Sequence, residues 1–271
     1  MKGHLHLACA LRDGSIPYLR EQSFCAPMHL SKPHVDAGAL VTNLVNPTAG
    51  IFDNDEISLN FAVDPGASLV LTTPSSSRVY RSRKGDTALV RQTMTVGTGG
   101  FLEFYPEPFI PHAGARYRQH NVIKVAPGGE LLFFEWLSPG RVARGEAFEF
   151  EELCWDTDVW SGDVLIARER YRLRPDDASL KSLRLPFDLA HYLGCFVILP
   201  EGVPFPQAEV EALGGDVSSV YLGAAPLAGN VNAWTVKAIC RDSLVTRKLL
   251  KDLRTVIYQA RGKAQPTLGR Y

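Results

Sequence analysis

A valine at the end of an apolar run, a turn containing glycine and a new apolar run occur together three times along the chain. The copies span residues 63–71, 96–104 and 125–133, and their glycines Gly66, Gly99 and Gly128 are spaced 33 and 29 residues apart. This spacing is typical of a β solenoid, because one coil cannot bury its apolar face until the next coil stacks on it. The sequence therefore predicts a mainly β protein with a coiled body. A β sandwich is the alternative, because its glycine-containing turns can recur at comparable spacing by chance.

Short runs rich in Val, Leu, Ile, Phe and Tyr alternate with Gly and Pro between about residues 36 and 172, as β structure requires. Several of these runs alternate apolar and polar residues, which is typical of strands with one buried face. The clearest predicted strands are 56–63, 68–73, 87–96, 117–126 and 130–137.

Helical patterns lie near the end of the chain. A short helix is predicted over 207–213, and a longer one over 243–261 with Asp242 as N-cap and Gly262 as C-cap. The longer helix has apolar residues at helical spacing, so it needs a partner surface. We therefore predict a single domain over 1–271, with a β-rich body to about residue 240 and a C-terminal helix.

Charge and cysteine content exclude several classes of protein. Lys plus Arg and Asp plus Glu both number 29, so the whole chain has no strong attraction for nucleic acid or an anionic membrane. The five cysteines form no CxxC pair, which argues against a disulfide framework or a zinc knuckle. The chain has no run of 18 apolar residues and its start lacks a signal-peptide pattern, so we expect a cytoplasmic protein.

Two groups of residues have side chains that bind metals. His4 and His6 would project from the same side of a strand, but no third and fourth ligand stand at a suitable spacing, which favours surface or packed histidines. Cys25, Met28, His29 and His34 would suit a soft or borderline divalent metal such as nickel. Their spacing matches no known closed site, so an ordinary loop is the preferred interpretation and a transient metal contact is the alternative.

Acidic residues provide a further set of candidates. The run Asp53, Asn54, Asp55 and Glu56 could bind a hard cation or line a polar passage, although turn residues have the same composition. Glu103, Glu107 and Glu135 lie among aromatic residues, where desolvation would raise their pKa and suit general-acid chemistry. Strand alternation instead predicts that Glu103 and Glu135 face away from their apolar neighbours and are exposed. Common catalytic and phosphate-binding signatures are missing from the sequence.

Several segments, in this order, resemble the UreD (UreH) family of urease accessory proteins over nearly the whole chain. The most specific match is LTTPSSSRVYRS at residues 71–82, which is similar to the family's apolar-Thr-Thr-Pro segment leading to a Tyr-Arg-Ser end. Further matches are the Pro, Gly and Asp of 46–55, the EFYPE segment at 103–107, Phe134-Glu135-Trp136, the Gly-Arg and Gly-Glu pairs of 140–146, and Arg241-Asp242-Ser243 before the long helix.

The resemblance implies a right-handed β-helix-like body with C-terminal helices and no catalytic activity. It further implies binding to apo-urease on one side and to UreF on the other, with UreF recruiting the nickel-carrying GTPase UreG. A polar passage would conduct nickel in transit, with no tightly bound cofactor, and Asp55, Ser77 and Glu135 match the family positions proposed to line it. Oxygen ligands that are individually weak would suit an ion that must be passed on.

Two other functions compete with this interpretation. The coil repeat and aromatic strands also suggest a β-helix enzyme acting on carbohydrate, although no group of acids and bases on one exposed face can be assembled from the sequence. A generic β interaction module is the second alternative.

Overall fold

The computed structural model describes residues 1–48, 50–175, 187, 190–229 and 231–268. Its strands are β1 Lys2–Arg12, β2 Ile16–Cys25, β3 His29–Leu30, β4 His34–Asp36, β5 Ala39–Val45, β6 Glu56–Val63, β7 Ser68–Thr72, β8 Ser77–Val79, β9 Ala88–Val96, β10 Phe101–Tyr105, β11 Phe109–Pro111, β12 Arg116–Val125, β13 Glu130–Leu137, β14 Glu152–Ser161, β15 Val164–Leu173, β16 His191–Ile198, β17 Val220–Pro226 and β18 Ala233–Cys240. The helices are α1 Gln207–Ala212, α2 Ser243–Ala260 and a short 3₁₀ helix, Val142–Arg144.

The chain winds as stacked coils that add one strand to each of two sheets. The first sheet has the order β15-β14-β12-β9-β6-β1-β2, and the second contains β17-β18-β16-β13-β10-β7-β5-β3. Strands β6, β9, β12 and β14 pair in parallel, and so do β5, β7, β10 and β13. The predicted β solenoid, of about four turns, is confirmed. The sandwich alternative is wrong, because neighbouring strands in a sandwich are antiparallel.

The glycine turns of the sequence repeat are the corners between the two sheets. Gly66, Gly99 and Gly128 have φ values of +73°, +66° and +75°, a region that glycine adopts at little cost. Successive corners are hydrogen bonded, since the Gly66 N–H donates to the Thr98 carbonyl at 3.0 Å and the Gly99 N–H donates to the Gly128 carbonyl at 3.1 Å. The recurrence in the sequence is therefore a stack of similar corners.

A third, shorter side completes each coil where the chain returns from the second sheet to the first. Strands β8 and β11 pair in parallel on this side, and Ile51 forms an isolated bridge with Val79. Residues of the third side, among them Ile51, Ser77 and Phe109, line the larger of the cavities described below.

Two large apolar clusters and a small third one, formed by Ala39, Val41 and Val70, make up the core of the described residues. The larger one fills the space inside the coils, with Phe61, Tyr117 and Phe133 among its members. The second lies between the outer face of the second sheet and α2, where Phe134 and Leu253 are buried. The predicted long helix is confirmed, and the Asp242 carboxylate caps it by accepting from the N–H groups of Leu244 and Val245, each at 2.9 Å. Within the described ranges, no helix has the length and apolar character needed to cross a membrane.

Candidate functional site

An internal cavity of about 250 Å³ lies inside the coils, next to the third side. Its walls are mainly apolar, and Leu59, Phe104 and Trp155 are typical of them. Polar side chains also line it, among them Gln92, Gln119 and Glu135. A buried space of this size with polar groups in its wall can hold water or a small ion.

Glu135 is the only acidic side chain on the inner face of β13. Along this strand Leu131 and Phe133 point into the interior cluster, whereas Phe134 and Trp136 pack beneath α2. By alternation, Glu135 shares the inner face with Leu131 and Phe133. The side chain is buried, so the expectation that Glu135 is exposed is wrong. The physical reason is that both faces of a solenoid strand can be covered, one by the coil interior and the other by a helix.

Three donors hold the Glu135 carboxylate in place. Its Oε1 accepts from Thr157 Oγ1 at 2.8 Å, from Trp155 Nε1 at 2.9 Å and from Asn121 Nδ2 at 3.3 Å. None of the donors in the described part of the chain bonds Oε2, so this oxygen is left for a molecule in the cavity. Burial raises the pKa of Glu135 to about 7, although the bonds from Thr157 and Trp155 act in the opposite direction.

A chain of polar side chains runs from Glu135 across the interior. Asn121 Oδ1 accepts from Gln119 Nε2 at 2.7 Å, and Gln119 Oε1 in turn accepts from the Tyr117 hydroxyl at 2.5 Å. On the neighbouring strand β9, Gln92 Nε2 is buried with no hydrogen-bond partner among the described residues. A buried amide without a partner costs about 1–3 kcal/mol, so water in this cavity would stabilise Gln92. The interior is therefore built for a polar occupant.

Glu135 also borders a second, smaller cavity of about 40 Å³. Tyr171 and Tyr192 line it, and their hydroxyl oxygens lie 2.5 Å apart. Tyr171 also donates to Glu169, whose carboxylate is 2.5 Å from the Lys237 ammonium group. Burial raises the pKa of both tyrosines, so they are neutral hydroxyl groups. Tyr192, Tyr171, Glu169 and Lys237 thus form one chain of polar contacts, and Lys237 at its end is exposed.

Comparison with known proteins identifies the family. The model described as UreD urease accessory protein matches residues 1–271. The chain belongs to this family. It is similar to the urease accessory protein UreD of Opitutus terrae, with 39% identity over 267 residues that cover 95% of this chain and 94% of that protein. It is also similar to the urease accessory protein UreD of Deinococcus radiodurans, with 31% identity over 174 residues that cover 64% of this chain and 62% of that protein.

The three positions carried over from the UreD resemblance lie in different surroundings. Ser77 opens β8 and lines the larger cavity, and its backbone N–H donates to the Pro108 carbonyl at 3.0 Å. Ser77 and Glu135 therefore share one cavity. Asp55 is buried, and its carboxylate accepts from the Phe52 N–H and from the Met1 amino group, each at 2.8 Å. Asp55 is not among the residues that line the two cavities, and its present contacts hold the turn before β6.

The structure does not bring the two groups of potential metal ligands together as they are grouped in the sequence. The β1–β2 hairpin places Cys25 opposite His4, with Sγ 3.1 Å from Nδ1, and His6 accepts a hydrogen bond from Asn60. Met28 instead lines the internal cavity. No group of three or more His, Cys, Asp or Glu residues suited to a metal occurs in the part of the chain that the structure describes.

The other two acids among aromatic residues bind the C-terminal helix. Glu103 is fully buried and accepts from Arg254 through both carboxylate oxygens, with Oε2 2.9 Å from Nη2, and from the Tyr258 hydroxyl at 2.6 Å. Its predicted exposure is therefore wrong, because α2 covers the outer face of β10. Glu107 forms a bidentate pair with Arg247 at 2.9 and 2.7 Å. These contacts hold α2 against the second sheet. Glu107 also lines the internal cavity, but its carboxylate is paired with Arg247, whereas the Glu135 carboxylate forms no ion pair with any residue that the structure describes.

Sequence reasoning missed Gln92, Gln119 and Asn121, although a signal was present. On β9 the inward positions are apolar except at Gln92, and on β12 Gln119 and Asn121 occupy inward positions between Tyr117 and Ile123. A polar residue in the apolar phase of an otherwise regular strand indicates a polar interior.

Proposed function

We propose that this UreD family member is a non-enzymatic scaffold that guides nickel through its interior during maturation of urease. The single observation that carries the proposal is the position of Glu135, a buried carboxylate that borders both internal cavities. Family membership gives the urease accessory role. The partners that we propose are apo-urease, UreF and, through UreF, UreG, all in the cytoplasm.

The chemistry of Glu135 suits weak and reversible binding of a cation. With a pKa of about 7, the carboxyl group exists in both protonation states near neutral pH, so an arriving Ni²⁺ displaces a proton and a departing one allows the proton to return. Oxygen atoms bind a borderline metal weakly compared with thiolate or imidazole. We propose that Ser77 and Asp55 provide further oxygen atoms, Asp55 after it leaves its contact with the Phe52 N–H.

The test is activation of urease in a reconstituted system. Glu135→Gln keeps the size of the side chain and can still accept from Thr157 and Trp155, but it loses the charge. We expect the activation rate to fall by about tenfold or more, since a hydrogen bond or contact to a charged group is worth about 1.5–3 kcal/mol. Glu149→Gln, at an exposed acid outside both cavities, should activate like wild type.

Complex formation with apo-urease, measured by size-exclusion chromatography, separates a defect in passage from a defect in assembly. The Glu135→Gln variant should still form the complex. Wild-type activation by Glu135→Gln, and by Asp55→Ala combined with Glu135→Ala, would contradict the proposed passage.

A further inference from the structure

A second, open groove of about 690 Å³ lies on the third side of the solenoid. Its walls are β8 and β11, the segment 138–144 that contains the 3₁₀ helix, and the first turn of α2. Ser76, Arg78, Glu107 and Trp136 line both this groove and the internal cavity. The groove and the internal cavity therefore adjoin.

Positive charge is concentrated in the groove although the chain as a whole is neutral. Four arginines line it. Two of them are neutralised, Arg247 by Glu107 and Arg141 by Glu146, with Arg141 Nε 2.7 Å from the carboxylate. Arg78 and Arg144 are exposed and form no ion pair with any residue that the structure describes. The groove thus offers two guanidinium groups that are free to bind an anion.

His112 lines the groove together with these arginines. Burial lowers the pKa of His112 first and the charge of Arg141 lowers it further, Glu146 acts in the opposite direction, and Arg78 and Arg144 add to the lowering, so the imidazole is neutral near pH 7. The side chain is 5% exposed, and Nε2 has no hydrogen-bond partner among the described residues. A buried nitrogen without a partner on the wall of a cationic groove is suited to a bond with a bound ligand.

Ring contacts hold several side chains of the groove in place, and such preorganisation lowers the entropic cost of binding. The Tyr80 ring stacks on Phe52 with ring centroids 4.8 Å apart and meets the edge of His112 at the same distance. The Arg247 guanidinium lies over the Trp136 ring, 5.2 Å from its centroid. Asp242 already caps the first N–H groups of α2, so the arginines, and not the helix end, provide the attraction for anions.

We propose that this groove binds an acidic, extended peptide segment of a partner protein, with its carboxylates on Arg78 and Arg144. Guanidinium groups match carboxylates in geometry and form bidentate hydrogen bonds with them. The mixed lining of arginines, neutral histidines and aromatic rings favours a peptide over a nucleic acid, which would require a continuous basic surface. This inference rests on the proposed scaffold role, because it names the chemistry of a partner, but it does not require metal transit.

The experiment measures binding of a fluorescein-labelled decapeptide of alternating Glu and Gly to the full chain by fluorescence anisotropy at low salt. Wild type should bind it, and a decapeptide with Gln in place of Glu should bind at least about tenfold more weakly. Arg78→Gln combined with Arg144→Gln should lose the binding. Arg91→Gln combined with Arg118→Gln, two exposed arginines on the first sheet that do not line the groove, should bind like wild type.

Four results would overturn the proposal. These are no binding by wild type, equal weakening by both double variants, competition by inorganic phosphate as strong as by the unlabelled peptide, and tighter binding of a single-stranded oligonucleotide than of the peptide. Circular dichroism of both double variants establishes that they are folded. Glu135→Gln should bind the peptide with wild-type affinity, so failure of the passage and failure of the groove can be told apart.

Discussion

Burial of the Glu135 carboxylate destabilises the folded protein at a position that we propose to be functional. Its carboxylate has left water, which raises the pKa to about 7 from an ordinary value of 4.5, and only Oε1 is compensated by the described donors. A buried acid of this kind lowers stability at neutral pH, because the folded protein must desolvate the charge. Such a cost is typical of functional positions.

The cost predicts a pH dependence for the metal-free protein. Between pH 4.5 and about 7 the folded state holds a proton on Glu135 that the unfolded state has released, so the free energy of unfolding falls as the pH rises through this range. Glu135→Gln cannot ionise and lacks this loss. We expect the stability of the variant relative to wild type to increase by about 3 kcal/mol from pH 4.5 to pH 8.

Urea denaturation across this pH range, with a chelator present, measures the effect. Glu149→Gln should follow the wild-type curve, because Glu149 is exposed. Parallel curves for wild type and Glu135→Gln would show that Glu135 has an ordinary pKa.

At the scale of single elements, α2 is held in place by residues that are distant in the sequence. Besides its apolar face, it is held by ion pairs from Arg254 to Glu103, from Arg247 to Glu107 and, just after the helix, from Arg261 to Glu130 at 2.6 Å. All three acids belong to β10, β13 or the segment that follows β10. The helix is thus docked through side chains 131 to 151 residues away in the sequence.

The Glu103–Arg254 pair should dominate the docking of α2. Glu103→Gln leaves Arg254 buried without a counterion, and breaking a buried pair in this way costs about 3–5 kcal/mol. Asp252→Asn, which breaks the surface pair with Lys248, should cost less than about 1 kcal/mol. Urea unfolding measures the free energy of unfolding of both variants. Equal losses of stability would mean that the buried pair adds no more than a surface pair.

At the scale of the whole molecule, the described residues form a stack of coils. Each central strand has a partner on both sides, and each coil mainly contacts the coils before and after it. The first sheet ends in antiparallel hairpins, β1–β2 on one side and β14–β15 on the other. These end strands complete the stack with one edge left unpaired within their sheet.

Stability should therefore decrease from the central coils to the ends. We expect backbone amides of β9 and β12 to exchange with deuterium at least about a hundredfold more slowly than those of β2, because opening a central strand breaks two ladders whereas opening an end strand breaks one. Hydrogen exchange followed by mass spectrometry measures the rates. Faster exchange in β9 than in β2 would contradict a stack whose ends open first.

Local patterns in the sequence determined the coil architecture and the C-terminal helix. The turn glycines Gly66, Gly99 and Gly128 were sufficient to predict the coils, because each corner requires a left-handed backbone conformation at one position, whatever residues surround it. Asp242 and the helical spacing of the apolar residues after it likewise predicted the last residue of α2 to within one position. These features depend only on neighbouring residues.

The candidate site was decided by the tertiary structure. Alternation placed Glu103 and Glu135 on the faces opposite to their apolar neighbours, but only stacking of the coils and return of α2 determined that both faces are covered. The contact of His4 with Cys25, the shared cavity of Ser77 and Glu135, and the cationic groove arise in the same way. Each joins residues that are far apart in the chain, and burial and pairing at that distance depend on how whole elements pack.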